Sequence, residues 1–328
     1  MQAIPLTRNP GLLTLIVGLA CACAAPPPAP RSRLPAGDHA LTLAHAGATR
    51  SYIVHVPPSP PAGRPAPVMI ALHGGGGHGA QFQRENGLDA VADRHGFLAV
   101  YPDGSGRLDG RLLTWNAGAH CCGWALDHKV DDVGFLAALV ADLARRADID
   151  AQRVYVTGHS NGAMMAYRFA AERADLVAAI IPVGGAMDLR EFRPSRPVAV
   201  LHIHSVDDPR ALYDGGLGPA FPGTDTRIEH QPVMAGLDRF ARHNGCRLPA
   251  VPGVTRRGDG RDRGQSATRL AYEACGPGGS VEHLRLAGVG HGWPGSHARP
   301  LMRRLLGPDT RLVNASEEAW SFAARHAR

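Results

Sequence analysis

What this 328-residue chain has little of narrows its reading first. It holds a single lysine, Lys129, so its net charge of +6 is carried almost wholly by arginine. The arginines are scattered, with only short pairs such as Arg145-Arg146, Arg256-Arg257 and Arg303-Arg304. No basic stripe forms of the kind that tracks a phosphate backbone, which argues against nucleic acid as a partner. Past the N-terminus no stretch reaches the roughly 18 apolar residues that cross a bilayer, and the body is expected to be soluble. No repeat period appears, and the 40 glycines and 27 prolines lack collagen-like spacing. There is no C-x-x-C with a spaced histidine partner, so no metal is expected. No glycine run carries G-K-[ST] or the acidic partner of a dinucleotide loop, and no organic cofactor is expected either.

What is present begins with a hydrophobic content of 44% against 20% charged residues, which excludes global disorder and permits a packed core. Arg8 precedes the apolar run from Gly11 to Ala20, and small residues follow. That is the pattern of a secretory signal peptide, expected over 1–24. Cys21 and Cys23 offer a lipid anchor as the alternative to plain secretion, although Gly18 and Ala20 stand where a lipobox has leucine. The protein is therefore expected to be secreted, periplasmic or held at the cell envelope, touching membrane only through such an anchor. Pro26, Pro27, Pro28 and Pro30 mark 25–38 as a linker, leaving 39–328 as one catalytic domain. Export makes the four remaining cysteines candidates for disulfides. Four cysteines allow three pairings, among which the sequence does not choose. Cys246 with Cys275 is carried as the expected bridge, and Cys121 and Cys122 are left as an unassigned vicinal pair.

Alternation from His39 to Val56 around Gly47 predicts a β-hairpin. Pro67–Leu72, Gly96–Tyr101, Arg153–Thr157, Ala178–Val183 and Val198–His204 read as strands buried on both faces, and Val281–Leu286 as a further short strand. Helical spacing follows Asp131-Asp132, which are read as capping residues, and a second helix spans Asn161–Glu172. Two zones, near 210–230 and 252–267, look like insertions. Strands alternating with helices predict an α/β architecture: a mostly parallel, doubly wound sheet with an N-terminal antiparallel hairpin.

Chemistry centres on Gly158-His159-Ser160-Asn161-Gly162, set between a strand and a helix. G-x-S-x-G needs small flanking residues because the turn is too sharp for side chains, and it lifts the serine clear of the sheet. A serine hydroxyl is a weak nucleophile, so a histidine base and a carboxylate that orients it must follow in the chain. His291, in the glycine loop Gly288–Gly295, is the candidate base. Asp208, fixed by Pro209 after the Val198–His204 strand, is the candidate acid, with Asp207 its surface neighbour. His202 and His204 share one strand face and lack a third ligand, so they are read as packed core histidines, as is His283. His73-Gly74-Gly75-Gly76 is an oxyanion loop in pattern, and the N–H groups of Gly75 and Asn161 are the expected donors.

These motifs, with Trp115-Asn116-Ala117-Gly118, Val130–Phe135, Leu201–His204 and Gly290–Gly295, resemble those of secreted polyhydroxybutyrate depolymerase-like esterases, a group similar to feruloyl and acetylxylan esterases. The resemblance spans roughly residues 40 to 298 and implies an α/β-hydrolase fold with Ser160 as nucleophile, Asp208 as acid and His291 as base. His159, Trp115 and Trp293 are expected on the substrate side. The chain departs from the pattern at Ser205-Val206-Asp207-Asp208-Pro209-Arg210-Ala211-Leu212-Tyr213, where the family shows Gly-Thr-x-Asp-Pro and then Val-Pro-Tyr. The reading is a serine carboxylic-ester hydrolase for a short-chain hydroxyalkanoate, acetyl or feruloyl-type ester. Its rivals are an acyltransferase with the same triad and a catalytically inactive binding protein.

Overall fold

The computed structural model describes residue 2 and residues 34–59, 63–108, 110–118, 121–188, 190, 192–221, 225–296 and 304–328. The expected signal segment, apart from residue 2, and the linker up to residue 33 lie outside them.

The predicted hairpin is formed by β1 (Gly37–His45) and β2 (Ala48–Val56), paired antiparallel. Its two turn residues, Ala46 and Gly47, both have positive φ (49° and 79°), the backbone a two-residue hairpin turn requires. The apolar runs become β3 (Ala66–Leu72), β4 (Leu98–Pro102), β5 (Ile149–His159), β6 (Ala179–Val183) and β7 (Ala199–Ser205). After two short strands, β8 (Gly216–Leu217) and β9 (Glu229–His230), come β10 (Arg247–Arg257), β11 (Ser266–Glu273) and β12 (Val281–Ala287). The main sheet runs β1-β2-β4-β3-β5-β6-β7-β12-β11-β10. Its six central strands, β4 to β12 in that order, are parallel, and both flanks are antiparallel. The second antiparallel flank, β11 and β10, occupies the zone that reads as an insertion in the sequence.

The helices are α1 (Gly79–Asn86), α2 (Leu88–His95), α3 (Gly123–Asp127), α4 (Asp132–Arg146), α5 (Asn161–Glu172), α6 (Val233–His243) and α7 (Ala315–Ala323). Alternate residues of β3 serve opposite cores: Val68, Ile70 and Leu72 pack toward α4, α5 and α6, while Met69 and Ala71 pack toward α1, α2 and α7. A strand covered on both faces has no polar side to show, hence the unbroken apolar runs.

The two acidic residues before α4 divide their work. Asp131 caps the helix, accepting the N–H of Gly134 at 2.9 Å. Asp132 does not cap: it is fully buried and accepts from Arg50 Nη2 and from the Asn116 N–H, each at 2.8 Å. It is a buried ion pair joining the hairpin to the segment before α3, and capping explains only its neighbour.

Candidate active site

In an open parallel sheet, side chains that follow the carboxyl ends of strands converge along one rim. Gly75 follows β3, Ser160 follows β5, the loop after β7 carries Asp208, and the loop after β12 carries His291. The Ser160 Oγ lies 2.9 Å from His291 Nε2, and His291 Nδ1 lies 2.7 Å from Asp208 Oδ2. Distant chain segments are thus brought into one hydrogen-bonded line. His291 is 6% exposed and Asp208 5%, while Ser160 remains partly open.

The serine turn is built by close backbone contact. Ser160 has φ 55° and ψ −117°, a conformation that L-residues avoid. A Cβ on Gly158 would stand 2.4 Å from the Gly162 carbonyl oxygen, and one on Gly162 would stand 2.3 Å from that of Leu72. Only glycine fits at either position.

The neighbouring loop is equally fixed. His73 is buried; its Nε2 accepts the N–H of Gly104 at 2.9 Å, so Nδ1 carries the proton that it donates to Gly74 O at 2.8 Å. Burial lowers this imidazole to about 4, keeping it neutral. The Gly75 backbone approaches Asn161, whose Cβ is 3.6 Å from where a Gly75 Cβ would sit. Among the described residues neither N–H, of Gly75 or of Asn161, has an acceptor. Asn161 opens α5, where the helix dipole adds positive potential. Its side chain faces away, accepting from the Trp115 N–H at 2.7 Å and donating to Trp115 O at 3.0 Å.

Asp208 is held by three hydrogen-bond donors and one further imidazole contact. Its Oδ1 accepts the N–H groups of Arg210 and Ala211, both at 2.8 Å. Its Oδ2 faces His291 and, at 3.3 Å, His204 Nε2. Burial opposes the charge, but the His291 charge and the hydrogen bonds from His204 and His291 prevail and hold the carboxyl far below the usual range. Asp207 is exposed and accepts the Gly288 N–H at 2.7 Å, bracing the loop that carries His291.

Of the three residues expected on the substrate side, Trp115 and Trp293 are buried and His159 is half-buried. Trp115 is fully buried, its indole N–H given to His73 O at 3.0 Å. Trp293 is 5% exposed and packs edge-on against Phe82, its N–H 3.3 Å from Ser316 Oγ. The glycines around Trp293 suggest an open loop, but residues from α1 and α7 cover it. His159 donates Nε2–H to His291 O at 2.6 Å, and burial with the His291 charge lowers it to about 3. It ties His291 to the serine turn. His202, His204 and His283 are buried as expected, but His204 also faces the acid. Phe221, from the 210–230 zone, was not anticipated: its ring lies 3.3 Å from where a Gly75 Cβ would be.

Cys246 and Cys275 are bonded to each other, as are Cys121 and Cys122. Cys121 Sγ lies 3.4 Å from Asn161 Nδ2, so the vicinal pair backs the start of α5.

The model of the esterase PHB depolymerase family matches residues 50–239. The chain belongs to that family. The esterase is also 30% identical to NocK of Nocardia uniformis subsp. tsuyamanensis, named as an esterase, over 97% of this chain and 98% of that protein. It is 26% identical to feruloyl esterase B of Piromyces equi, over 74% of this chain and 42% of the relative. Its fold is similar to that of the acetyl xylan esterase from Aspergillus awamori, with a TM-score of 0.53, 17% identity, and coverage of 82% and 97% of the two chains. The protein is accordingly a carboxylic ester hydrolase on an α/β-hydrolase fold, and the ester is its small-molecule partner.

Proposed function

We propose that the esterase is a secreted serine hydrolase that works through an acyl-enzyme on short-chain hydroxyalkanoate, acetyl or feruloyl-type esters. The observation that carries this reading is the line Ser160 Oγ, His291 and Asp208, at 2.9 and 2.7 Å, beside two uncommitted backbone N–H groups. Ser160 attacks the ester carbonyl while His291 Nε2 takes its proton. Asp208 holds the Nδ1–H tautomer and stabilises the imidazolium that forms. The N–H groups of Gly75 and Asn161 receive the developing oxyanion. His291 returns the proton to the departing alcohol, and water then repeats the sequence in reverse to free the acid and Ser160.

The acyl preference is supported by the family description and the relatives' names, and export by the segment 1–24. Among the described residues no helix is long and apolar enough to cross a membrane. A fluorophosphonate probe tests the nucleophile: it labels wild type at Ser160, and labelling that persists in Ser160→Ala refutes the assignment. A panel of p-nitrophenyl esters, methyl ferulate and hydroxybutyrate oligomers then ranks the acyl groups. Product analysis with an added acceptor alcohol separates hydrolysis from acyl transfer.

A further inference from the structure

Behind the acid lies a chain of buried hydrogen bonds that ester hydrolysis as usually drawn does not require. His204, 2% exposed, has its Nε2 2.9 Å from Ala211 O and 3.3 Å from Asp208 Oδ2. A carbonyl can only accept, so Nε2 carries the proton; it bonds Ala211 O and lies within ion-pair reach of Asp208 Oδ2. His204 Nδ1 is then bare, and it accepts from His202 Nε2 at 3.0 Å. That leaves His202 Nδ1 bare in turn, facing the Tyr167 hydroxyl at 2.8 Å. Each proton in the line therefore points toward the acid. The ordering needs both rings neutral, and burial pushes His202 well below the ordinary range. His283, paired across from His202 on β12, pins the strand there: its Nδ1 donates to His202 O at 3.0 Å, and its Nε2 accepts from Tyr213 at 3.0 Å.

We propose that His204 is a positioning residue for ester hydrolysis, and that Tyr167, acting through His202, sets the tautomer that keeps a proton on the His204 nitrogen facing Asp208. The proposal rests on the Ser160–His291–Asp208 reading. Without the hydroxyl at its far end only Ala211 O and Asp208 hold the order of the line, and a reversed line turns the lone pair of His204 Nε2 against both. Without His204 the Oδ2 atom keeps one side-chain donor and loses the second fix on its direction.

The chemistry of the pair gives a readout that packing alone would not move. Taking an N–H away from Oδ2 makes the carboxylate more basic, and a more basic carboxylate favours the charged imidazole it faces. The acid limb of kcat/KM therefore moves to higher pH. The other groups facing His291 stay in place: Ser160 and His159 from the serine turn, and His230 from β9, whose ring is close enough to feel the charges of His291 and Asp208.

His204→Leu, His204→Gln and Tyr167→Phe should be compared with wild type in the full-length esterase, with folding checked by circular dichroism. His204→Leu should lose about tenfold in kcat with KM little changed, as for a lost hydrogen bond to a charged group, and its acid limb should rise by about half a pH unit. His204→Gln, which offers both a donor and an acceptor, should restore most of both. Tyr167→Phe should lose about threefold in kcat, and imidazole ¹H–¹⁵N spectra should show part of the His204 proton moved to Nδ1. A folded His204→Leu with wild-type kcat and acid limb overturns the proposal. Should that variant not fold, an unaltered kcat and an unaltered His204 tautomer in Tyr167→Phe overturn it instead. Fluorophosphonate labelling of Ser160 separates the two failures: its absence in wild type sinks the triad, while its presence beside an indifferent His204 sinks this inference alone.

Discussion

His291 and His55 both meet carboxylates, but only His291 keeps a nitrogen for a hydroxyl. His291 gives one nitrogen to Asp208 and keeps the other for Ser160. His55, at the hairpin, has Nδ1 2.6 Å from Asp38 and Nε2 2.9 Å from Asp93, with Asp89 3.8 Å from Nδ1. Burial opposes its charge, yet the bonds to Asp93 and Asp38 and the charges of Asp89 and Asp93 together raise its pKa. An imidazole donating at both ends has no lone pair left to accept a proton. The lesson is that carboxylates near a histidine do not make a base. One acceptor on one nitrogen, with a hydroxyl on the other, does.

That contrast sets the order of expected effects. Ser160→Ala should cut kcat on the order of 10⁴-fold or more with folding intact, measured on a p-nitrophenyl ester. Next, Asp208→Asn should cost about 10²- to 10⁴-fold in kcat, while Asp207→Asn, which keeps an oxygen for the Gly288 N–H, should stay within about twofold of wild type. The reverse ranking would move the acid by one residue.

The pH profile sharpens the comparison. Asp208 is held ionised far below the ordinary carboxylate range, so it adds no step to the acid limb. kcat/KM should rise through one ionisation, at about pH 6 to 7, and stay flat to about pH 9. Two steps, or activity lost to EDTA and restored by zinc, would contradict the triad.

The smallest effect belongs to the other imidazole. His55→Gln should leave kcat unchanged and lower stability by less than about 1 kcal/mol. A pKa raised by folding stabilises fully below the unfolded value, ~6.5, and loses that contribution as pH rises through the folded value. The gap in Tm between His55→Gln and wild type should therefore be widest near pH 5 and close by about pH 9. A gap that widens with pH would show that the three carboxylates do not hold His55 charged.

Much of this was legible in the chain because burial on both faces writes itself as apolar runs such as Met69–Leu72 and Ile180–Val183. The serine turn was legible because its glycines answer a steric demand. Strand β10 was not: its residues, with Pro249, Pro252, Gly253 and three arginines, are mostly exposed and offer no apolar face. Its pairing with β11 comes from the neighbour, not from its own pattern. The burial of Trp115 and Trp293 was not legible, because what covers Trp293 comes from segments distant in the chain, α1 and α7. His204 was recognised as buried, but its contact with Asp208 depends on the turn after β7, which no periodicity reports.

The backbone of Ser160 carries a consequence for how the esterase can change over time. At φ 55° and ψ −117° the residue occupies a region glycine tolerates and serine does not. Replacing it by glycine would relieve roughly 1–3 kcal/mol of conformational strain, against about 0.5–1 kcal/mol for the freer unfolded chain. The catalytically dead Ser160→Gly protein should thus melt no lower than wild type. A lineage selected only for thermal robustness would drift toward losing its nucleophile, so persistence of serine at this site is a record of continued turnover rather than of folding.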